Sequence, residues 1–263
     1  ILDGPAAAAA MEGCRWVFHE AALASVPQSV AEPERFYRVN VMGTLAVLTA
    51  AKKAGVQRVM YAGSSSAYGD PPEQGPKQET LPALPVSPYA SAKLAGEEMM
   101  RAWVHSYGVD TAVLRYFNVF GPRQNANSAY AAVIAAFATA LAQGRQPMIF
   151  GDGQQTRDFV YVANVVHANL LAAGCAGRVM GEVFNVGTGR CITVNELYRT
   201  VAGAMGKGDV KAEYRPVRAG DVLHSTADVS KASRMLGYRP VVEFEAGVGE
   251  TVKWYGATAQ SRE

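Results

Sequence analysis

The sequence predicts an α/β protein in which a doubly wound parallel sheet carries a smaller α/β lobe beside it. Three observations lead there. Strand-like and helix-like patterns alternate from residue 16 to residue 117, an order that implies right-handed crossovers between parallel strands. The helices are punctuated, with proline near their starts and glycine after their ends. Beyond Gly121-Pro122 the elements shorten and the rhythm changes, so the second half reads as a smaller lobe, and the cleft between the two is the default binding site.

Taken in order, Ile1-Leu2-Asp3 resembles the end of a strand, and Asp3 then caps a short helix with Pro5 in its first turn. Trp16-Val17-Phe18-His19 reads as a buried strand. Pro33 opens a helix in which Tyr37, Val41, Leu45 and Leu48 recur at helical spacing, and Gly55 ends it. Arg58 to Gly63 forms a short strand that stops at Ser64-Ser65-Ser66. Ser87 and Pro88 cap a long helix running to Gly108, and Thr111 to Phe117 is the next strand. In the second half an apolar helix over 130 to 143 ends at Gly144, and Gly151-Asp152-Gly153 makes a hairpin-like turn. Thr193-Val194-Asn195-Glu196 is a capping box, and Asp228 starts a short helix that Gly237 ends.

Composition narrows the function classes. The chain has 263 residues, 49% of them hydrophobic and 18% charged, which fits a packed globular protein and excludes a disordered or collagen-like one. Lysine and arginine number 25 against 23 acidic residues, a net charge of +2 with no stripe of like charge. That balance argues against nucleic acid or a membrane surface as the main partner. The apolar run from Ala129 to Ala142 is shorter than the ~20 residues of a membrane span. Cys14, Cys175 and Cys191 are an odd number at wide spacing, with only four histidines. Neither a disulfide framework nor a metal site is expected, and a reducing cytoplasm is. No signal peptide is expected at Ile1.

The chemistry is carried by Ser64, Tyr89 and Lys93. Tyr89-Ala-Ser-Ala-Lys93 places a phenol and an ammonium at i and i+4 on one helix face. A cation there favours the phenolate, bringing its pKa down from ~10 and making a general base. Ser64, 25 residues earlier, follows directly on a strand, at the carboxyl end where ligands of open α/β sheets collect. It is placed to hydrogen-bond the same substrate oxygen. A tyrosine and a lysine four apart are, by themselves, most often a surface pair; the strand-end serine run upstream is what turns the pattern toward chemistry.

Ser64-Ser-Ser-Ala-Tyr-Gly69, Ser87-Pro-Tyr-Ala-Ser-Ala-Lys93 and Arg115-Tyr-Phe-Asn-Val-Phe-Gly-Pro-Arg123 resemble the extended short-chain dehydrogenase/reductases, in their sugar-nucleotide epimerase and dehydratase branch. The likeness runs through essentially the whole chain. His19 to Ser29, Gln124 to Ile134 and Arg218 to Ser225 are most similar to the UDP-N-acetylglucosamine 4-epimerases of that branch. The resemblance implies a Rossmann-type sheet lacking its first βαβ unit, because the strand, the GxxGxxG phosphate loop and the acidic ribose-binding residue that open the family's fold have no counterpart here. About 50 to 60 residues are expected to be absent, so the chain alone is expected to bind NAD poorly and to be inactive. The expected division is 1–121 for a partial NAD-binding domain and 122–263 mainly for the UDP-sugar lobe, some of whose segments return to the sheet.

By resemblance, the cofactor is NAD. Tyr89 takes the proton from the sugar 4-hydroxyl as hydride passes from C4 to the cofactor, Lys93 binds the nicotinamide ribose, and Ser64 steadies the 4-oxygen. The 4-keto intermediate turns over and takes hydride back on its other face, inverting C4. The remaining cofactor contacts implied are Ala21, Ala22, Leu23, Asn40 and Phe117. His19 is read as a buried structural histidine. The substrate contacts implied are Asn118, Ala132, Val133, Arg157, Arg218 and Asp221, the two arginines suiting a diphosphate through their planar guanidinium groups; either could equally form a surface ion pair, Arg157 with Asp158 or Asp152.

Family dehydratases carry Asp-Glu directly after the residue matching Ser64, because eliminating water needs an acid and a base. Ser65 and Ser66 occupy those positions, which favours epimerisation over 4,6-dehydration. Ser225 stands where epimerases that exclude N-acetyl sugars carry a large tyrosine, so a 2-acetamido group fits; Ala24, Ala132 and Ser65 would line that space, and Gln124 and Asn118 would offer amides to it. Other sugar-nucleotide activities (UDP-glucuronate decarboxylase, 4-ketoreductase, 4,6-dehydratase) and a noncatalytic dinucleotide-sensing module are the alternatives. A homodimer through the Tyr37–Leu48 and Ser87–Gly108 helices is also implied.

Overall fold

A computed structural model describes residues 1–70, 75–124, 133–217 and 223–260. Ile1–Asp3 form no strand. The Asp3 carboxylate accepts from the Ala6 N–H at 3.0 Å, so these residues lead into the cap of α1 (Gly4–Ala10). The first half continues with β1 (Trp16–His19), α2 (Val26–Ala31), α3 (Pro33–Tyr37), a π turn at Arg38–Met42, α4 (Gly43–Lys53) and β2 (Arg58–Ser64). A 3-10 turn at Ser65–Tyr68, α5 (Pro88–Tyr107) and β3 (Asp110–Tyr116) follow. The second half holds β4 (Asn118–Phe120), α6 (Val133–Ala142), β5 (Met148–Phe150), β6 (Thr156–Arg157), β7 (Phe159–Tyr161), α7 (Val162–Gly174) and β8 (Glu182–Val186). It ends with β9 (Ile192–Thr193), α8 (Val194–Ala204), β10 (Glu213–Arg215), β11 (His224–Ser225), α9 (Ser230–Leu236) and α10 (Phe244–Gln260).

The main sheet has the order β1-β2-β3-β8, and all its pairings are parallel. β2 and β3 are buried along their length until Ser64 and Tyr116, as strands covered on both faces must be. On one face Tyr61, Val59 and Val113 pack with Leu48 and Met100 of α4 and α5. On the other, Met60, Leu114 and Phe184 pack with Val165 and Ala168 of α7 and Leu236 of α9. Gly96 lets α5 press on the sheet, because a Cβ there would collide with the Tyr61 phenol. β1 departs from the expectation of a buried strand: it lies at the edge of the described sheet, only His19 is buried, and Phe18 is 41% exposed.

A buried ion pair fastens the far end of this sheet. Arg58 Nε meets Asp110 Oδ2 at 2.6 Å, and its Nη1 donates to the carbonyls of Ala172, Ala173 and Cys175 at the end of α7. Asp110 in turn accepts from the Val179 and Met180 N–H groups. A cation at a helix carboxyl end answers its orphan carbonyls and its dipole together.

The helix expected from Pro33 is continuous to Lys53, with a π turn at Arg38–Met42 inside it, and its buried side only partly follows the apolar spacing. Of the spaced residues Leu48 is fully buried, Val41 and Leu45 are half-buried and Tyr37 is 40% exposed, while Phe36, Asn40, Thr44 and Val47 are buried beside Leu48.

In the second half, Phe120, Ile134, Phe137, Leu141, Phe159, Leu197 and Phe244 form a separate apolar cluster. The turn at 151–153 has two glycines at positive φ yet joins no hairpin: β5 pairs with β10, and β6 with β11 and β9. Asn195 of α8 holds the turn instead, through the Gly153 and Asp152 carbonyls. The Thr193–Glu196 capping box is present. Asp228 accepts from the Ser230 N–H at 2.8 Å at the start of α9, and left-handed Gly237 ends it. The expected helix is seen from Val133 onward; its first residues lie outside the described ones.

Candidate active site

Ser64 is the last residue of β2 and the cap of the following 3-10 turn, where its Oγ accepts from the Ser66 N–H at 3.2 Å and lies 2.8 Å from Ser66 Oγ. Gly69 closes this turn at φ +62°, and a side chain there would strike the Leu84 carbonyl. Tyr89 is the second residue of α5, capped by Ser87. Its N–H donates to Ser29 Oγ at 3.1 Å, which ties α2 to α5. One turn on, buried Lys93 donates to the Ala62 carbonyl at 2.8 Å and sits 5.0 Å from the Tyr61 ring centroid. Asn40 grips the backbone of Leu23 twice: its Oδ1 accepts from the N–H at 2.8 Å, and its Nδ2 donates to the carbonyl at 3.0 Å. Behind it, Thr44 donates to the Asn40 carbonyl at 2.6 Å and meets His19 Nε2 at 2.9 Å.

These elements enclose a cleft of about 620 Å³ at the carboxyl ends of β1, β2 and β3, within the usual range for a small-molecule site. It brings together Ala22, Ala24, Ser64, Ser65, Ser66, Tyr89, Lys93, Phe117, Asn118, Arg157 and Ser225. Ala21, Leu23 and Asn40 stand outside its lining, Asn40 acting on the β1–α2 turn from behind. Gln124 does not offer its amide to the cleft: Nε2 donates to the Val119 carbonyl at 3.0 Å, and Oε1 is buried with no partner. Val133 packs on the second-half cluster. Ala132, Arg218 and Asp221 lie outside the described residues. Arg157 donates to the carbonyls of Thr156 and Leu223. Asp158, its suggested surface partner, is fully buried and accepts from the Thr188 N–H and Oγ1, the Gly189 N–H and the Ala227 N–H.

The electrostatics differ from those expected of a tyrosine beside a lysine. Burial raises the Tyr89 phenol above its ordinary value, and only a hydrogen bond with Ser64 pulls it back. The ammonium is turned toward Ala62 and Tyr61, and burial pushes it down to about 8 against the opposing pull of Glu20 and Glu97. Glu97, one turn further on α5, is itself paired with Arg115 at 2.8 Å. His19 is pushed down to about 4, chiefly by burial, as a structural neutral imidazole should be.

The cleft also contains Glu20, Tyr116, Val86 and Val119, which motif reading passed over. The signal for Glu20 and Tyr116 was available: each stands at or just past the carboxyl end of a parallel strand, where side chains project into the crevice.

The family described as the NAD dependent epimerase/dehydratase family matches residues 1–187. The chain belongs to that family. A UDP-glucose 4-epimerase of Mycolicibacterium smegmatis is 41% identical over 245 residues, covering 93% of this chain and 77% of that protein. The structure of a UDP-N-acetylglucosamine 4-epimerase from Methanobrevibacter ruminantium M1, in complex with UDP-N-acetylmuramic acid, superposes with a TM-score of 0.91 at 40% identity over 96% of this chain and 80% of that one. A UDP-glucose 4-epimerase of Thermotoga maritima, with UDP-glucose, superposes with a TM-score of 0.92 at 39% identity over 98% and 82%. The fold is therefore the Rossmann-type fold of the extended short-chain dehydrogenase/reductases, and the protein is an NAD-dependent member of their UDP-sugar epimerase group. Among the described residues no helix is long and apolar enough to cross a membrane.

The cleft suits one end of NAD. Its donor set is an ammonium with three donors, one of them on Ala62, two hydroxyls at Ser64 and Tyr89, and a backbone turn fixed by Asn40, a combination matched to a ribose diol and an uncharged amide. Among the described residues no glycine-rich loop between a parallel strand and a helix is present to receive a pyrophosphate.

Proposed function

We propose that the protein inverts C4 of a UDP-hexose, with UDP-N-acetylglucosamine and UDP-N-acetylgalactosamine as its substrate pair. The observation that carries this reading is the convergence of Ser64, Tyr89 and Lys93 on one cleft whose next two positions, Ser65 and Ser66, hold hydroxyls and no carboxyl group. Bound NAD supplies the hydride acceptor and donor for C4. Tyr89 removes the proton from the 4-hydroxyl and later returns it. Ser64, already accepting from the Ser66 N–H, has one proton to donate, to the phenol oxygen before the sugar binds and to the sugar 4-oxygen once it is bound. Lys93 holds the nicotinamide ribose, and its charge lowers the phenol's pKa once a ligand draws the ammonium from Ala62. Burial raises the phenol's pKa and its hydrogen bond with Ser64 lowers it; a cationic ammonium and an oxidised nicotinamide ring beside it would lower it further.

In this reading residues 1–121 hold the cofactor and most of 122–263 the UDP-sugar. Arg157 serves the diphosphate, Asn118 the sugar, and half-buried Ser225 leaves room for a 2-acetamido group. The helices over Tyr37–Leu48 and Ser87–Gly108 form a homodimer surface, to which exposed Met42 and Tyr107 belong; a monomer in light scattering would remove that part.

The test joins a strand, GxxGxxG loop and helix unit ahead of Ile1. The fusion is incubated with NAD and, separately, UDP-N-acetylglucosamine, UDP-glucose and UDP-glucuronate, and products are identified by NMR. The 4-epimer of the N-acetyl sugar is expected as the fastest product. Carbon dioxide from UDP-glucuronate, or a 4-keto-6-deoxy sugar, would replace this reading with decarboxylation or dehydration.

A further inference from the structure

Glu20 is the acidic residue of the cleft to which neither motif nor mechanism gives a role. It follows His19 at the end of β1, and its side chain lines the same cavity as Lys93, Tyr89 and Phe117. The residue is exposed at the mouth of the cleft, and the Tyr116 hydroxyl donates to its Oε1 at 2.9 Å and to its Oε2 at 3.1 Å. Asn169 of α7 donates to the Tyr116 oxygen at 2.7 Å, which fixes the direction of the chain: amide to phenol to carboxylate. Three elements, β1, β3 and α7, thus hold one carboxylate in place.

Among the described residues this carboxylate has no cation in contact with it; the Lys93 ammonium of the same cleft acts on it only through space. Glu97, the other acid near Lys93, is bound to Arg115 by three hydrogen bonds. Among the described residues Glu20 forms no ion pair, and the Lys93 ammonium is engaged with the Ala62 carbonyl. A fixed negative charge at the cofactor end of a cleft favours a cationic ligand over a neutral one of the same shape. The nicotinamide ring is cationic when oxidised and neutral when reduced.

We infer that Glu20 is a positioning residue that makes the cleft prefer oxidised over reduced NAD, so that hydride taken from the sugar is driven back to it. The inference rests on the reading of this cleft as the nicotinamide end of the cofactor site. A tenfold preference lowers the potential of the bound two-electron couple by about 30 mV, making the reduced cofactor a stronger donor to the ketone and shortening the time in which a keto sugar could escape.

The test is a titration of the full chain with NAD+ and, separately, with NADH, followed by saturation-transfer NMR, which reads weak binding. Glu20→Gln keeps an acceptor for Tyr116 and removes only the charge. It is expected to weaken NAD+ about tenfold and NADH less than twofold, while Glu20→Asp retains most of the preference. Equal changes for both forms, or none, overturn the inference. Lys93→Met separates it from the underlying reading: if that variant weakens both forms, the cofactor end is where it is placed here whatever Glu20 does. If Lys93→Met changes neither form, or the unaltered chain binds neither, the reading and the inference fall together.

Discussion

On the sheet side of the cleft, Ser64 ends a strand of seven residues, and Tyr89 and Lys93 sit on a helix of twenty. Across the cleft, Asn118, Arg157 and Ser225 sit on strands of three, two and two residues. The first side is held by groups that cannot easily move: the Ser29 bond to Tyr89, the Asn40 grip on Leu23, the Lys93 bond to Ala62 and the buried pair beneath. The second side relies on short pairings, with Asp158 as its main buried anchor. Acid-base chemistry tolerates little displacement, whereas sugar selection needs only space and a few polar groups. On the proposed mechanism, rigidity lies where the proton would move.

That contrast can be broken in four places. The largest effect is expected at Tyr89: in the loop-bearing fusion, Tyr89→Phe should lower kcat by about 10²- to 10⁴-fold with substrate KM little changed, and a rate within threefold of the unaltered fusion would remove Tyr89 from the mechanism. Next, Arg58→Met should cost about 3–5 kcal/mol in urea unfolding, because Asp110 and the carbonyl end of α7 lose a buried partner; a loss under about 1 kcal/mol would show that the sheet is fastened elsewhere.

The third prediction concerns pH. His19 is held near 4 in the folded chain and returns to about 6.5 when unfolded. The unfolded state therefore binds more protons between those values, and stability contributed by the neutral imidazole is complete above about 6.5 and lost as pH falls toward 4. The loss amounts to about 3 kcal/mol. Chemical denaturation at several pH values should show this limb, and His19→Asn should lack most of it. The smallest effect is expected across the cleft. Ser225→Tyr should reduce kcat/KM for the N-acetyl sugar about 10- to 100-fold while leaving UDP-glucose within a few fold; equal losses for both would mean that Ser225 serves the fold and not the choice of sugar.

Much of the sheet side was legible in the residues. Caps, glycine stops and apolar runs are local signals, so α5 and its Ser87 and Gly108 boundaries, β2 and its serine end, and the Thr193 capping box appear where the sequence puts them. What local signals misplace is anything that depends on a neighbour from elsewhere in the chain. The buried side of the Pro33–Lys53 helix includes polar Asn40 and Thr44, which apolar spacing does not mark, because the Leu23 backbone and His19 supply their partners. The turn at 151–153 looked like a hairpin because its glycines permit one, but β5 and β6 found other partners. The Gln124 amide, expected at a ligand, donates to the Val119 carbonyl.

The sequence by itself determined the alternation of parallel strands and helices, the family, and the presence of a serine, a tyrosine and a lysine at spacings suited to one cleft, since spacing along a strand or helix fixes which side chains share a face. Only the tertiary structure decided their electrical state. Lys93 was expected to acidify Tyr89, but burial opposes both charged forms, and the ammonium is held by a carbonyl from a different element. The carboxylate of Glu20 came into the same cleft through β3 and α7. Desolvation and long-range partners are properties of packing, and a linear chain carries no record of them.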